Sequence, residues 1–237
     1  AYARRLLDDA LLPAPAAALL RDEYPAYLLG SITADGHSGA GLRREDTHFY
    51  AYDQPITAPL HERMLAAYPR LADVTEPAGR AFLAGYVGHL ALDEVWTEGV
   101  TRPYFLDSLW GTSSERFLML NVLLLTLDER DRARLTPEMA EALNEAGHGN
   151  WLPFLPDAAL LDWRNLIAGQ LKPGAPSQTV PIISERTGLS QADIRALVTS
   201  PASLNERLWA FVPRAVVPDT EARMLAIAAN RVAEYLK

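Results

Sequence analysis

The sequence contains no cysteine. That excludes disulfides and thiolate metal sites, so any metal must be held by imidazole and carboxylate. Positive charge is not in excess either. The formal net charge is −8, which argues against a nucleic-acid partner held by a broad basic surface and leaves room for a local cationic pocket that takes a small anion. Long apolar runs are missing: the longest, "FLMLNVLLLTL" from Phe117 to Leu127, covers 11 residues and is interrupted by Asn121. A bilayer crossing needs about 20, so a buried helix is expected there and no transmembrane segment.

Strand patterning is also lacking. No period-2 alternation is sustained, and β-branched residues gather only around Gln178 to Ile183 and Phe211 to Val217, both broken by proline. What is there reads as helix: Thr75 before Glu76 and Pro77, Thr136 before Pro137 and Glu138, and Ser190 with Asp193 each mark a helix start. A helix is expected from Asp157, and another from Glu221 to the end of the chain. The predicted fold class is all-α, a single compact multi-helix domain. A modest break at "KPGAPSQT", Lys172 to Thr179, sets a body over 1–171 apart from a C-terminal helical extension over 172–237, packed on the same domain. "TGLSQADIRALVTSPASL", Thr187 to Leu204, has the outline of a helix-turn-helix but no clustered basic residues for phosphate contacts, so packing helices are expected there.

Within the apolar stretch "GYVGHLALDEVW", Gly85 to Trp96, stand His89 and Asp93. Four residues apart on a helix, they project from one side. A carboxylate in such surroundings must be paired, and the stretch offers no lysine or arginine. Imidazole beside carboxylate suits a divalent transition metal; a histidine hydrogen-bonded to an aspartate one turn away explains the pair equally well. Gly85 and Gly88 are expected to let another backbone come close. Upstream, "YLLGSITADGHSGAGLRREDTHFY", Tyr27 to Tyr50, ends a short apolar helix at Asp35, follows with Gly36, Gly39 and Gly41, and then presents Thr47, His48 and Phe49.

"LLGSITAD", "THFY" and "GYVGHLALDEVW", in this order, resemble the zinc-dependent phospholipase C family, whose fold is shared with zinc-dependent single-strand nucleases. The likeness covers about Tyr27 to Trp96. It implies that Asp35, His48, His89 and Asp93 gather round one zinc ion, and that the fold resembles the phospholipase C fold with additional C-terminal helices. Full phospholipase activity in the family uses three zinc ions and further histidines. After His89 this chain has only His148, and before Asp35 it has none. One ion is therefore the main expectation, with a second if His37, Glu94 or His148 contributes.

Other candidates have narrower roles. His37 reads as an exposed loop residue whose functional alternative is a proton donor to a leaving group. Arg43 and Arg44, beside Glu45 and Asp46, read as a solvated mixed-charge loop. The functional alternative for Arg44 is a phosphate clamp for a small-molecule phosphoester substrate, with Asp35 expected to double as the base that orients water. His61 reads as a solvent-facing helix residue, and Glu94 as a contributor to helix solubility. The expected function is a metal-dependent phosphoesterase. The alternative is a helical scaffold with a structural metal or a metal-free polar cluster. The expected location is the cytoplasm, with a removed targeting segment ahead of Ala1 as the alternative.

Overall fold

The computed structural model describes the whole chain except His148, Pro173, Gly174, Pro176 and Ser177, and among the described residues there is no strand. The expected break at Lys172 to Thr179 falls partly on residues outside that description. In chain order the helices are α1 (Tyr2–Asp8), α2 (Ala14–Asp22), α3 (Tyr24–Thr33), α4 (Arg44–His48), α5 (Leu60–Ala67) and α6 (Pro77–Trp96). They continue as α7 (Ser113–Arg132), α8 (Pro137–Glu145), α9 (Asp157–Leu171), α10 (Thr179–Thr187), α11 (Gln191–Thr199), α12 (Pro201–Leu204) and α13 (Val216–Tyr235). A 3-10 turn spans Ala34–His37, and π-helical turns span Thr97–Leu106 and Asn205–Trp209.

Proline explains many of the starts. It occupies one of the first two positions of α2, α3, α6, α8 and α12, where its missing N–H would have no intrahelical partner anyway. The cap of α6 differs from the expected Thr75: the Glu76 carboxylate accepts from the amides of Ala78 and Gly79 at 3.1 and 2.5 Å. The start at Ser190 is as read, with Ser190 Oγ accepting from the Asp193 amide at 3.1 Å. Helix α13 begins at Val216, ahead of Glu221, because Pro218 falls in its first turn. The two β-branched clusters are absorbed by α10 and by the approach to α13.

Helix α6 is the centre. It is apolar on nearly all sides and buried from Gly79 to Gly88 apart from Arg80, which marks a helix surrounded by others. Helices α3 and α13 pack directly on it. The α3 crossing is backbone against backbone: a Cβ on Gly30 would stand 1.8 Å from the Phe82 carbonyl oxygen, and one on Gly85 would stand 2.2 Å from that of Tyr27. Gly88 has a different role, facing the Val232 and Leu6 side chains.

The interior has two parts. One is built on α3, α6, α8, α9 and the second half of α13, with Leu29, Phe82, Tyr86 and Leu90 fully buried. The other is built on α7, the π turns after Trp96 and α10 to α12, around Val122, Leu123, Ile194 and Leu208. Helix α13 serves both, Val217 lying in the second and Leu225 in the first. The apolar run at Phe117 to Leu127 is buried on one side only, since Phe117 and Leu124 are exposed. Thr187 to Leu204 forms the end of α10, then α11 and α12, with Gly188 in the left-handed region (φ 71°) and Ile183 and Ile194 packed in the second part of the core.

Candidate metal site

The site lies where α3 ends, where α4 stands and where the last turns of α6 face them. His48 is placed by its neighbour: Thr47 Oγ1 donates to the Ala34 carbonyl at 2.9 Å, and Tyr86 of α6 donates to the Thr47 carbonyl at 2.7 Å. These bonds tie α4 both to the 3-10 turn that carries Asp35 and to α6, and they leave the His48 side chain with no exposure. Phe49 ends α4 in the left-handed conformation (φ 63°), unusual for a bulky residue, with its ring held against Phe154 at 5.4 Å. A Cβ on Gly36 would crowd the Trp163 ring at 3.1 Å, and Trp163 itself donates to the Ile32 carbonyl.

Three of the four expected ligands meet. One ligand atom from each of Asp35, His48 and His89 lies within 4.8 Å of the other two. His48 Nε2 stands 3.3 Å from Asp35 Oδ1 and 3.4 Å from His89 Nε2. The far nitrogens of both rings face the main chain, His89 Nδ1 at 3.0 Å from the Ser31 carbonyl and His48 Nδ1 at 3.2 Å from the Arg44 carbonyl. A carbonyl only accepts, so His89 Nδ1 carries a proton, and in the neutral ring Nε2 is then the nitrogen with the lone pair. His48 Nδ1 also meets Thr47 Oγ1, whose proton is directed to Ala34. Two imidazole lone pairs and a carboxylate oxygen thus converge.

Electrostatics favour that arrangement. Burial works to raise the Asp35 pKa, but in the acid range where this carboxyl titrates His89 and His48 are in their protonated forms. With the Arg44 guanidinium they outweigh burial and hold the carboxyl well below the usual range. Burial lowers the His48 pKa. Asp35, which accepts from Nε2 only when the ring is protonated, and Asp93 oppose this in part, so the neutral ring with a free Nε2 lone pair is favoured. An ionised carboxylate and a neutral imidazole are the forms a divalent ion binds. Asp35 keeps about half of its side chain exposed, so the cluster is open to solvent on that side.

Asp93 is held differently. Its Oδ2 accepts from Arg44 Nη2 and from the Tyr50 hydroxyl (3.1 Å), and stands 3.8 Å from His48 Nε2. The cation missing from the α6 stretch therefore comes from α4. Arg44 lies 4.6 Å from the centres of both the Tyr50 and Tyr52 rings. Sequence reasoning gave these tyrosines no role; their placement two residues apart just after the expected ligand His48 was the available signal. Tyr50 also shares a 2.7 Å hydrogen bond with Thr97, where α6 widens into π turns.

The remaining candidates are placed as follows. His37 stands edge-on to His48, ring centres 5.6 Å apart, with Nδ1 at 3.2 Å from the Ala34 carbonyl. Glu94 anchors a neighbour: its carboxylate accepts from the Leu60 amide at 3.0 Å and so caps α5. Glu98, one turn on, accepts from the Ile56 amide, and Arg102 donates to the Tyr52 and Gln54 carbonyls, so this row fixes the segment that carries both tyrosines. His61, expected to face solvent, is buried at 6% exposure, a correction that follows from α5 packing on α6. His148 lies outside the described residues. His89 and Asp93 also border a cavity of about 310 Å³ with the apolar side chains of Tyr27, Leu92, Trp96 and Met224.

Comparison of the chain with models of protein families, with curated proteins and with solved structures gives no match.

Proposed function

We propose that the protein is a metal-dependent hydrolase acting on phosphoesters. The observation that carries this reading is the meeting of His48 Nε2, His89 Nε2 and Asp35 Oδ1, with His89 Nδ1 and His48 Nδ1 turned to backbone carbonyls. Facing lone pairs and an ionised carboxylate repel one another unless a proton or a metal cation lies among them, and a main-chain partner on the far nitrogen is the usual support of a metal-ligating histidine. Two histidines and one carboxylate, without cysteine, suit zinc. Three protein donors leave a coordination position for water or substrate, and expansion to five-coordination keeps that position open when a further carboxylate approaches the ion.

A divalent ion held by Asp35, His48 and His89 would lower the pKa of a water toward about 7 and polarise a phosphoryl oxygen. The chain's own groups supply the rest. Asp35, ionised and half exposed, orients the attacking water; His37, at the rim of the cluster, gives a proton to the leaving oxygen. Arg44 meets the negative charge of the phosphoryl group.

A second reading is supported by the Arg44–Asp93 pair, which neutralises one carboxylate of the group without any ion. On that reading a polar cluster joins α3, α4 and α6 in a helical scaffold. Metal analysis of the purified protein, followed by a panel of phosphomonoesters and phosphodiesters, separates the two. Bound zinc with ester hydrolysis that is lost in His48→Ala supports the hydrolase; a metal-free protein inert on the whole panel supports the scaffold.

A further inference from the structure

Arg44 and the three-donor cluster reach for the same carboxylate oxygen. Asp93 Oδ2 accepts from Arg44 and Tyr50, and it stands 3.8 Å from His48 Nε2, the nitrogen that faces Asp35 and His89. The guanidinium is placed independently of that bond, with its central carbon 4.6 Å from both the Tyr50 and Tyr52 ring centres. Its other terminal nitrogen, Nη1, is buried and makes no hydrogen bond among the described residues. Arg44 is thus a stacked cation with one terminal nitrogen engaged and one unspent.

Resting on the metal-site reading above, we infer that a divalent cation and Arg44 compete for Asp93, so that loading the cluster draws Asp93 off the guanidinium and turns Arg44 into a phosphate-binding group. Two cations sharing one oxygen repel each other, and a doubly charged ion beside two imidazoles and Asp35 outbids a guanidinium. Once released, Arg44 presents the planar fork that matches phosphate in two parallel hydrogen bonds. The tyrosine rings keep it in place, so little ordering is lost when an anion arrives. Linkage makes the effect mutual: the cation strengthens phosphate binding and phosphate strengthens cation binding by the same factor. Without the cation the substrate's anchor is capped by the protein's own carboxylate.

Isothermal titration with zinc alone, and separately with inorganic phosphate on the metal-free protein, tests this on the full chain, Arg44→Met, Asp93→Asn and the double variant. Removing Arg44 is expected to tighten zinc by about tenfold, within the usual span of such coupling, and to do so far less in the Asp93→Asn background. Metal-free Asp93→Asn is expected to bind phosphate at least about tenfold more tightly than the metal-free parent, because asparagine cannot neutralise the guanidinium. Asparagine has nearly the shape of aspartate, so this arm remains informative if Arg44→Met does not fold. Zinc affinity that rises equally with and without Asp93, or phosphate binding unchanged by Asp93→Asn, overturns the exchange while leaving the metal site standing. Failure of all four proteins to bind zinc overturns the metal site itself.

Discussion

Gly85 of α6 lies against the backbone of Tyr27 in α3, so closely that a Cβ on it would stand 2.2 Å from the Tyr27 carbonyl oxygen and 2.8 Å from the Ser31 nitrogen. One turn along α6, His89 uses that proximity to reach the Ser31 carbonyl. The crossing that packs the core and the orientation of the histidine therefore have one cause.

Gly85→Ala should destabilise the fold by about 2 kcal/mol or more, since a backbone obstacle cannot step aside as a side chain can, and this outweighs the helix-propensity gain of about 1 kcal/mol. Gly88→Ala, whose Cβ would meet only the Val232 and Leu6 side chains at 3.3 and 3.9 Å, should be close to neutral. Urea unfolding of both variants checks the contrast. Equal losses would mean that the close approach of α3 and α6 is not what Gly85 provides.

Glu221 of α13 accepts from Tyr2 of α1 at 2.5 Å and from two nitrogens of Arg130 of α7 at 3.0 and 2.6 Å. It joins helices of both parts of the core. Glu221→Ala should cost about 2 kcal/mol, below the ~3–5 kcal/mol of a fully buried pair because the Arg130 guanidinium keeps access to water. Tyr2→Phe should cost about 1 kcal/mol, the worth of one hydrogen bond. An unchanged urea midpoint in Glu221→Ala would show that the two parts hold together without this junction.

His61 gives a pH dependence of known sign. Burial, and then the nearby Arg231 guanidinium, lower its pKa below the ordinary value, which is about 6.5. As pH falls through that value the unfolded chain takes up the proton first, so the stability linked to neutral His61 is complete above it and is lost on acidification toward the lowered folded value. The stability of the parent relative to His61→Gln should therefore shrink between about pH 8 and about pH 5.5. His48 acts in the same direction in both proteins and cancels in the difference. A difference that stays constant or grows would contradict the burial of a neutral imidazole.

The helical class was legible because its signals are local: no alternation, and starts marked by proline, serine and aspartate at Pro137 and Ser190–Asp193. The helical spacing of apolar residues becomes regular at Glu221 and puts the start of α13 there. The helix begins at Val216 instead, because a proline in the first turn, Pro218, costs no hydrogen bond. The pairing of α7 with α10 and α11, and the π turns after Trp96, depend on tertiary packing that no local pattern encodes. In the site, helical spacing alone puts His89 and Asp93 on one side of α6. That Asp35 and His48 should join them was implied by a family resemblance, not by spacing. The Arg44–Asp93 pair was hidden because each residue had been given a separate task, one toward phosphate and one toward metal. His61 and Glu94 read as solvent-facing because polar residues usually are, yet one packs into the interior and the other caps α5.

Zinc content is the most direct measurement. The protein is equilibrated with zinc, dialysed against metal-free buffer and measured by elemental analysis beside His89→Ala. About one zinc per chain is expected in the parent and essentially none in the variant, because His89 supplies one of three donors. A parent that retains no zinc, or a His89→Ala protein that retains as much as the parent, would contradict the metal centre on which the proposed chemistry depends.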